Sequence, residues 1–169
     1  MTGFAFRIQP HWPWLALGVS LAMLAAAHAF ERFGGLNPCA LCLTQREVYW
    51  GAAGVAAAGL VVLRLWPRLT LRRAFAALLG LAFLTGALVA AYHVAVENHW
   101  VVARCELGDV GDIVAFNPNG TFQIPNCDAV QWSLLGISMA GYNALISLFL
   151  AAASFVIAFA PAPPVDEDA

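Results

Sequence analysis

Four long stretches of this chain carry no charge, and they constrain the fold more than any other feature. They are residues 8–30, 48–63, 74–96 and 129–165, with lengths of 23, 16, 23 and 37 residues. A helix needs roughly 20 apolar residues to cross the hydrocarbon core of a bilayer. The runs are rich in Ala, Leu and Val, with Gly and Ser that suit close helix contact. They predict four spans, at about 13–31, 43–65, 74–96 and 134–160. The expected fold class is an all-α membrane protein, a four-transmembrane-helix bundle forming a single domain over about residues 1–160.

Composition narrows the function classes. Of 169 residues, 62% are hydrophobic and 11% charged, against about 25% charged in an ordinary globular chain. So few charges do not cover a soluble domain of this size. Eight arginines, no lysine and ten acids give a net charge of −2. That excludes the basic surface a nucleic-acid binder needs, and the hydrophobicity excludes disorder.

The second run decides something further. Sixteen residues reach about 24 Å as a helix, short of the core thickness. The helix must extend past its flanking charges. Arg64 can snorkel to the headgroups, and Arg46 and Glu47 are drawn to the opposite membrane boundary. A polar pair at that depth reads as a functional site or as an interfacial anchor.

Arginines set the orientation. Arg64, Arg68, Arg72 and Arg73 crowd the short second connection, and Arg7 lies in the N-terminal tail. Those five belong in the cytoplasm. Both termini are then cytoplasmic, and the connections at about 31–42 and 97–132 face outward. A secretory-signal reading competes at the N-terminus, through Arg7, an apolar run and Ala27-His28-Ala29. The run from Trp14 is longer than a signal core, and its loss would put the termini on opposite sides, so it is expected to stay as the first span. The Pro-containing acidic end, about 161–169, reads as a disordered cytoplasmic tail.

All four cysteines, Cys39, Cys42, Cys105 and Cys127, fall on the outward side. Three chemistries compete. A four-cysteine zinc site normally supplies two short hooks, and here only Cys39-x-x-Cys42 is one, so no metal is expected. Stapling suits Cys105–Cys127, which would close a long loop, but not Cys39–Cys42, whose ring constrains little. Redox exchange suits the C-x-x-C pair. Pro38 disfavours helix at Asn37, so Cys42 falls at or near a helix N-terminus, which favours a thiolate. Arg46, four residues on, lies one turn deeper on the same face. Such a site suits a lipid-dissolved acceptor that gains negative charge on reduction, and a quinone fits, its carbonyl meeting Arg46.

These residues resemble the DsbB family of bacterial inner-membrane disulfide-generating proteins. The matching stretches are Asn37-Pro38-Cys39-Ala40-Leu41-Cys42-Leu43-Thr44-Gln45-Arg46, the Tyr92-His93 pair, the loop cysteines, and Asn126-Cys127-Asp128 followed by Gln131-Trp132-Ser133-Leu134-Leu135-Gly136-Ile137-Ser138. The resemblance covers nearly the whole chain. It implies that a reduced DsbA-type, thioredoxin-like partner attacks Cys105, that Cys127 is the loop partner of Cys105, and that electrons pass to Cys39–Cys42. It further implies that Cys39 exchanges with the loop pair, that Cys42 faces the quinone and forms a thiolate–quinone adduct, and that Arg46 and His93 bind the quinone. Ubiquinone is expected before menaquinone. A DsbA-type partner is itself a strong oxidant, so only a more oxidising acceptor can drain it.

The loop residues Leu107, Val110, Ile113, Val114 and Phe116 recur at near-helical spacing and suggest a short membrane-parallel helix; Asn117-Pro118-Asn119-Gly120 reads as a turn. Several residues carry blander expectations. His93 could be an interior hydrogen-bonded histidine, Glu47 compensates Arg46, Trp100 and Trp132 suit the interfacial belt, and Tyr49 and Trp50 serve a pocket or packing equally well. Two other functions remain open: a quinone-linked reductase resembling vitamin K epoxide reductase, in which the loop cysteines precede the C-x-x-C along the chain, and a scaffold whose cysteines only staple.

Overall fold

Helix makes up most of the described residues, 2–102 and 127–161, of the computed structural model. The elements are α1 (Thr2–Ile8), α2 (Trp12–Gly34), α3 (Ala40–Leu65), α4 (Leu69–Glu97), β1 (Ser133–Leu134), β2 (Ile137–Ser138) and α5 (Met139–Ala158). A 3-10 turn, Gln9–His11, joins α1 to α2. Four helical stretches, Ala5–Gly34, Ala40–Leu65, Leu69–Glu97 and Met139–Ala158, are long and apolar enough to cross a membrane. The chain is an all-α, multi-pass membrane protein.

The helix ends follow local chemistry. Gly35, at φ 66°, closes α2 in the left-handed conformation that an L side chain resists. Helix α4 ends in a Schellman arrangement: His99 N–H donates to Val96 O (2.9 Å) and Trp100 N–H to Ala95 O (2.9 Å), with His99 at φ 57° where glycine is usual. Helix α4 begins at Leu69 rather than near 74, because Arg72 and Arg73 are good helix formers and continue its first turns beyond the apolar run. Helix α5 begins at Met139 rather than near 134. Residues 133–138 instead make a tight antiparallel hairpin, Ser133 opposite Ser138 and Leu134 opposite Ile137. Its two-residue turn, Leu135-Gly136, holds both residues at positive φ (52° and 79°), as a type I′ turn demands.

Helix α4 packs along α5 and α3, and α3 along α2. Small residues let these axes approach. A Cβ placed on Gly86 of α4 would lie 3.2 Å from Ser147 Oγ of α5 and 3.3 Å from Val48 of α3. The buried centre is made of Ala16, Leu24, Ala52, Ala56, Leu79, Phe83, Leu150 and Ala151. Large apolar side chains such as Leu21, Val61, Leu88, Phe149 and Val156 point outward. That is the distribution of a chain whose solvent is lipid.

Several polar side chains inside the bundle find partners across it. Gln9 Nε2 donates to Ile157 O (3.1 Å) and Trp12 Nε1 to Ser154 Oγ (3.1 Å), which ties the N-terminal turn to α5. Arg73 Nη2 donates to Ala160 O (2.8 Å), satisfying a carbonyl beyond the end of α5. The expected loop helix over 107–116, the turn at 117–120, Cys105, and the tail from 162 onward lie outside the described residues.

Candidate functional site

The site starts from a helix cap. Pro38 disfavours helix at Asn37, and Cys39 follows as the N-cap of α3 with φ −79° and ψ 171°. Its sulfur stands where a serine or aspartate oxygen normally would and accepts from the Cys42 backbone N–H at 3.3 Å. Cys42 is then the third residue of the first turn, and its Sγ lies 2.7 Å from Cys39 Sγ. Both thiols are free. Cys39 is 2% exposed, while Cys42 is half-buried. The hydrogen bond to Cys42, then burial and the neighbouring Cys42 charge, hold the Cys39 thiol far above the ordinary cysteine range.

Helix α4 brings His93 to this turn. His93 Nε2 lies 3.7 Å from Cys39 Sγ, and Nδ1 is 2.8 Å from Gln45 Nε2. Gln45 accepts in turn from Asn143 Nδ2. Tyr49 donates to Asn143 Oδ1 at 2.6 Å and lies 2.9 Å from Ser147 Oγ. One polar chain thus runs from His93 through α3 to α5, entirely inside the bundle. Glu97, one turn beyond His93, places Oε1 3.9 Å from His93 Nε2 and accepts from Ser138 Oγ at 2.5 Å. Ser138 also caps α5 through Gly141 N–H (3.1 Å).

Arg46 is compensated, but not by Glu47. Arg46 Nη1 donates to Glu31 Oε2 at 2.5 Å, and Nη2 to Ala27 O at 3.3 Å. Glu47 is exposed. The reason is geometric: adjacent residues on a helix point about 100° apart, so Glu47 cannot face its neighbour's charge, whereas α2 packs directly against that side of α3.

These groups surround a cavity of about 360 Å3. Met23, Leu24, Phe30 and Ile146 give it apolar walls, and Cys39, Cys42, Gln45, Arg46, His93 and Glu97 give it a polar end. Helices α2 and α5 flank it and are not among the well-packed helix pairs. Trp132, expected only as a belt residue, lines it too, with ring centroids 5.2 Å from Phe30 and 6.2 Å from Tyr142.

The fourth described feature is Cys127. It is 1% exposed, packs with Cys39 and Val96 in one buried cluster, and is disulfide-bonded. Its backbone hydrogen-bonds to His93. Of the six sequence-selected site residues, Cys39, Cys42, Arg46, His93 and Cys127 therefore meet at one end of the bundle; Cys105 lies outside the described residues. Gln45, Asn143, Glu31, Glu97 and Ser138 were not singled out from sequence. Their signal was present as polar residues at helical spacing inside apolar runs, Gln45 with Tyr49, His93 with Glu97 and Asn143 with Ser147.

Comparisons with known proteins identify the family. The family model described as Disulfide bond formation protein DsbB matches residues 9–157. Disulfide bond formation protein B 2 of Pseudomonas entomophila is 34% identical over 145 residues, covering 81% of this chain and 83% of that protein. Disulfide bond formation protein B of Methylococcus capsulatus is 32% identical over 148 residues, covering 80% and 85%. Its Haemophilus influenzae counterpart is 28% identical over 150 residues, covering 82% and 80%. No solved structure matches the chain. A thiol pair capping a membrane helix, a loop cysteine packed on it, and a family match along nearly the whole length converge: this chain belongs to the DsbB family of disulfide bond formation proteins.

Proposed function

We propose that the protein is a thiol:quinone oxidoreductase of the bacterial inner membrane. It reoxidises a periplasmic DsbA-type dithiol protein and passes the electrons to a membrane quinone. The observation that carries this reading is the double environment of the C-x-x-C turn. Cys39 is buried against Cys127, while Cys42 borders a largely apolar cavity with Arg46 and His93.

The chemistry balances as a series of exchanges. The partner's thiolate attacks Cys105, the Cys105–Cys127 bond breaks, and Cys127 leaves as a thiolate. Cys127 attacks Cys39, and Cys42 leaves as a thiolate on the cavity side. The partner's second thiolate then releases Cys105, completing the partner's disulfide. Cys105 re-forms its bond to Cys127, which frees Cys39. The Cys39–Cys42 dithiol so produced carries the two electrons. Free Cys39 and Cys42 with Cys127 disulfide-bonded is the state that precedes their transfer.

The cavity fits a quinone. Its volume lies within the roughly 300–1,000 Å3 of ligand pockets, its walls are apolar, and Arg46 and His93 supply donors for carbonyl oxygens. A quinone supplies a two-electron, two-proton acceptor, so the dithiol's protons need not leave the site. Arg46, held by Glu31 and Ala27, keeps donors to spare for that negative charge.

Purified protein given a reduced DsbA-type partner and a quinone should consume both in equal amounts. Cys42→Ser and Cys105→Ser, each folded, should abolish turnover. Turnover retained in either variant overturns the role assigned to that cysteine.

A further inference from the structure

We propose that the Cys39–Cys42 dithiol, together with His93, is a zinc(II) site, so that the reduced state of the protein binds this metal and the disulfide state does not. The inference rests on the redox reading only in requiring that the pair visit its dithiol form.

The donor atoms of Cys39, Cys42 and His93 lie within 4.8 Å of one another. Zinc bonds of about 2.3 Å to sulfur and about 2.0 Å to nitrogen put the two donors about 3.6 Å apart in a tetrahedral site. Cys39 Sγ and His93 Nε2 are already 3.7 Å apart. The two sulfurs, at 2.7 Å, must open to about 3.8 Å. Cys42 is the half-buried member and borders the cavity, so it has room to turn. The fourth position then faces the cavity and takes water. A lone C-x-x-C hook lacks a partner hook in sequence; in space, His93 supplies the third ligand from another helix.

Charge and hydrogen bonding favour a divalent ion. Two thiols lose two protons, and the resulting pair of thiolates neutralises Zn2+, so the buried complex carries no net charge. No electrons move. His93 Nε2 ligates through its lone pair, which leaves the proton on Nδ1. Gln45 faces Nδ1 at 2.8 Å and accepts that proton's hydrogen bond once its amide and that of Asn143 reverse together, Asn143 then accepting from Gln45 and donating to the Tyr49 hydroxyl, which turns its own hydrogen to Ser147 Oγ; the ring so gains the outer partner that metal-ligating histidines have. With Cys39 and Cys42 both bound to metal, the pair can neither close its disulfide nor hand electrons to an acceptor.

The test titrates zinc against a chromophoric chelator, using the full chain in detergent, reduced by a phosphine without oxygen. One zinc per reduced chain is expected, and none after oxidation of the same sample. The comparison uses one sequence, so misfolding of a variant cannot produce it. The reduced Cys105→Ser/Cys127→Ser double variant should still bind, whereas Cys39→Ser should not, and His93→Gln should bind more weakly by at least the roughly 10–100-fold that loss of an outer-shell partner costs. Cobalt(II) in place of zinc should give a thiolate-to-metal charge-transfer band. Equal binding by both redox states, binding unmoved by His93→Gln, or binding lost in the double variant overturns the site. Turnover measured in chelator is a separate readout: normal turnover without zinc binding rejects this inference alone, and zinc binding without turnover rejects the redox reading alone.

Discussion

At position 39 a thiol does the work of a helix cap, and that one substitution of sulfur for oxygen sets much of the local chemistry. The cap bond from Cys42 N–H aims Cys39 Sγ into the first turn of α3, beside Cys42 Sγ. The shared hydrogen bond and burial then raise the Cys39 thiol above the ordinary cysteine range. Arg46 is the second decisive residue. It is only 16% exposed and is anchored to α2 rather than to its own helix. A charge-assisted hydrogen bond contributes about 1.5–3 kcal/mol. Arg46→Ala should therefore raise the KM for quinone by about 10–100-fold, and Arg46→Lys should recover only part of this, because a point charge lacks the planar fork. Steady-state kinetics at varied quinone concentration checks both, and an unchanged KM in Arg46→Ala would remove Arg46 from the quinone site.

Among elements, contact between α4 and its neighbours depends on the absence of side chains. Gly86 lies against Ser147 and Val48, and Ser147 belongs to the polar chain running from Tyr49. Gly86→Leu should cost about 1–3 kcal/mol by overpacking and loosen the Tyr49–Ser147 contact. Gly51, on an exposed face of α3 with nothing within 4 Å of its would-be Cβ, is the control. Gly51→Leu should stay within about 0.5 kcal/mol of the parent. Thermal unfolding in detergent separates the two; equal stability would mean that α4 does not pack as described. The helices themselves were legible in the sequence, because charge-free runs and turn residues are local signals. The hairpin at 133–138 was missed for the same reason. Its apolar residues sit within a charge-free run of 37 residues, and only the Leu135-Gly136 turn marks the break.

For the whole molecule, the arginine distribution predicts that the α3–α4 connection lies on the cytoplasmic side and the cysteine site on the other. Pro67→Cys in a background with the four native cysteines changed to serine should react with a membrane-impermeant maleimide only in inside-out vesicles. Labelling in right-side-out cells would reverse the topology and place the thiol site in a reducing compartment. The polar chain His93–Gln45–Asn143–Tyr49–Ser147 joins α4, α3 and α5 at the same end as the thiols. The cavity draws its lining from α2, α3, α4 and α5, so the site is a property of the bundle rather than of any one helix.

From the chain of residues alone came the four long apolar helices, the thiol pair at the start of α3 and the place of Arg46 one turn along from Cys42, since each follows from charge spacing, proline and helical pitch within one segment. Which acid meets Arg46, which side chains hold His93, and which wall Trp132 completes were decided only by tertiary packing. Arg46 and Glu31 stand 15 positions apart in sequence, and Gln45 and His93 stand 48 apart; no local periodicity encodes a meeting between separate helices.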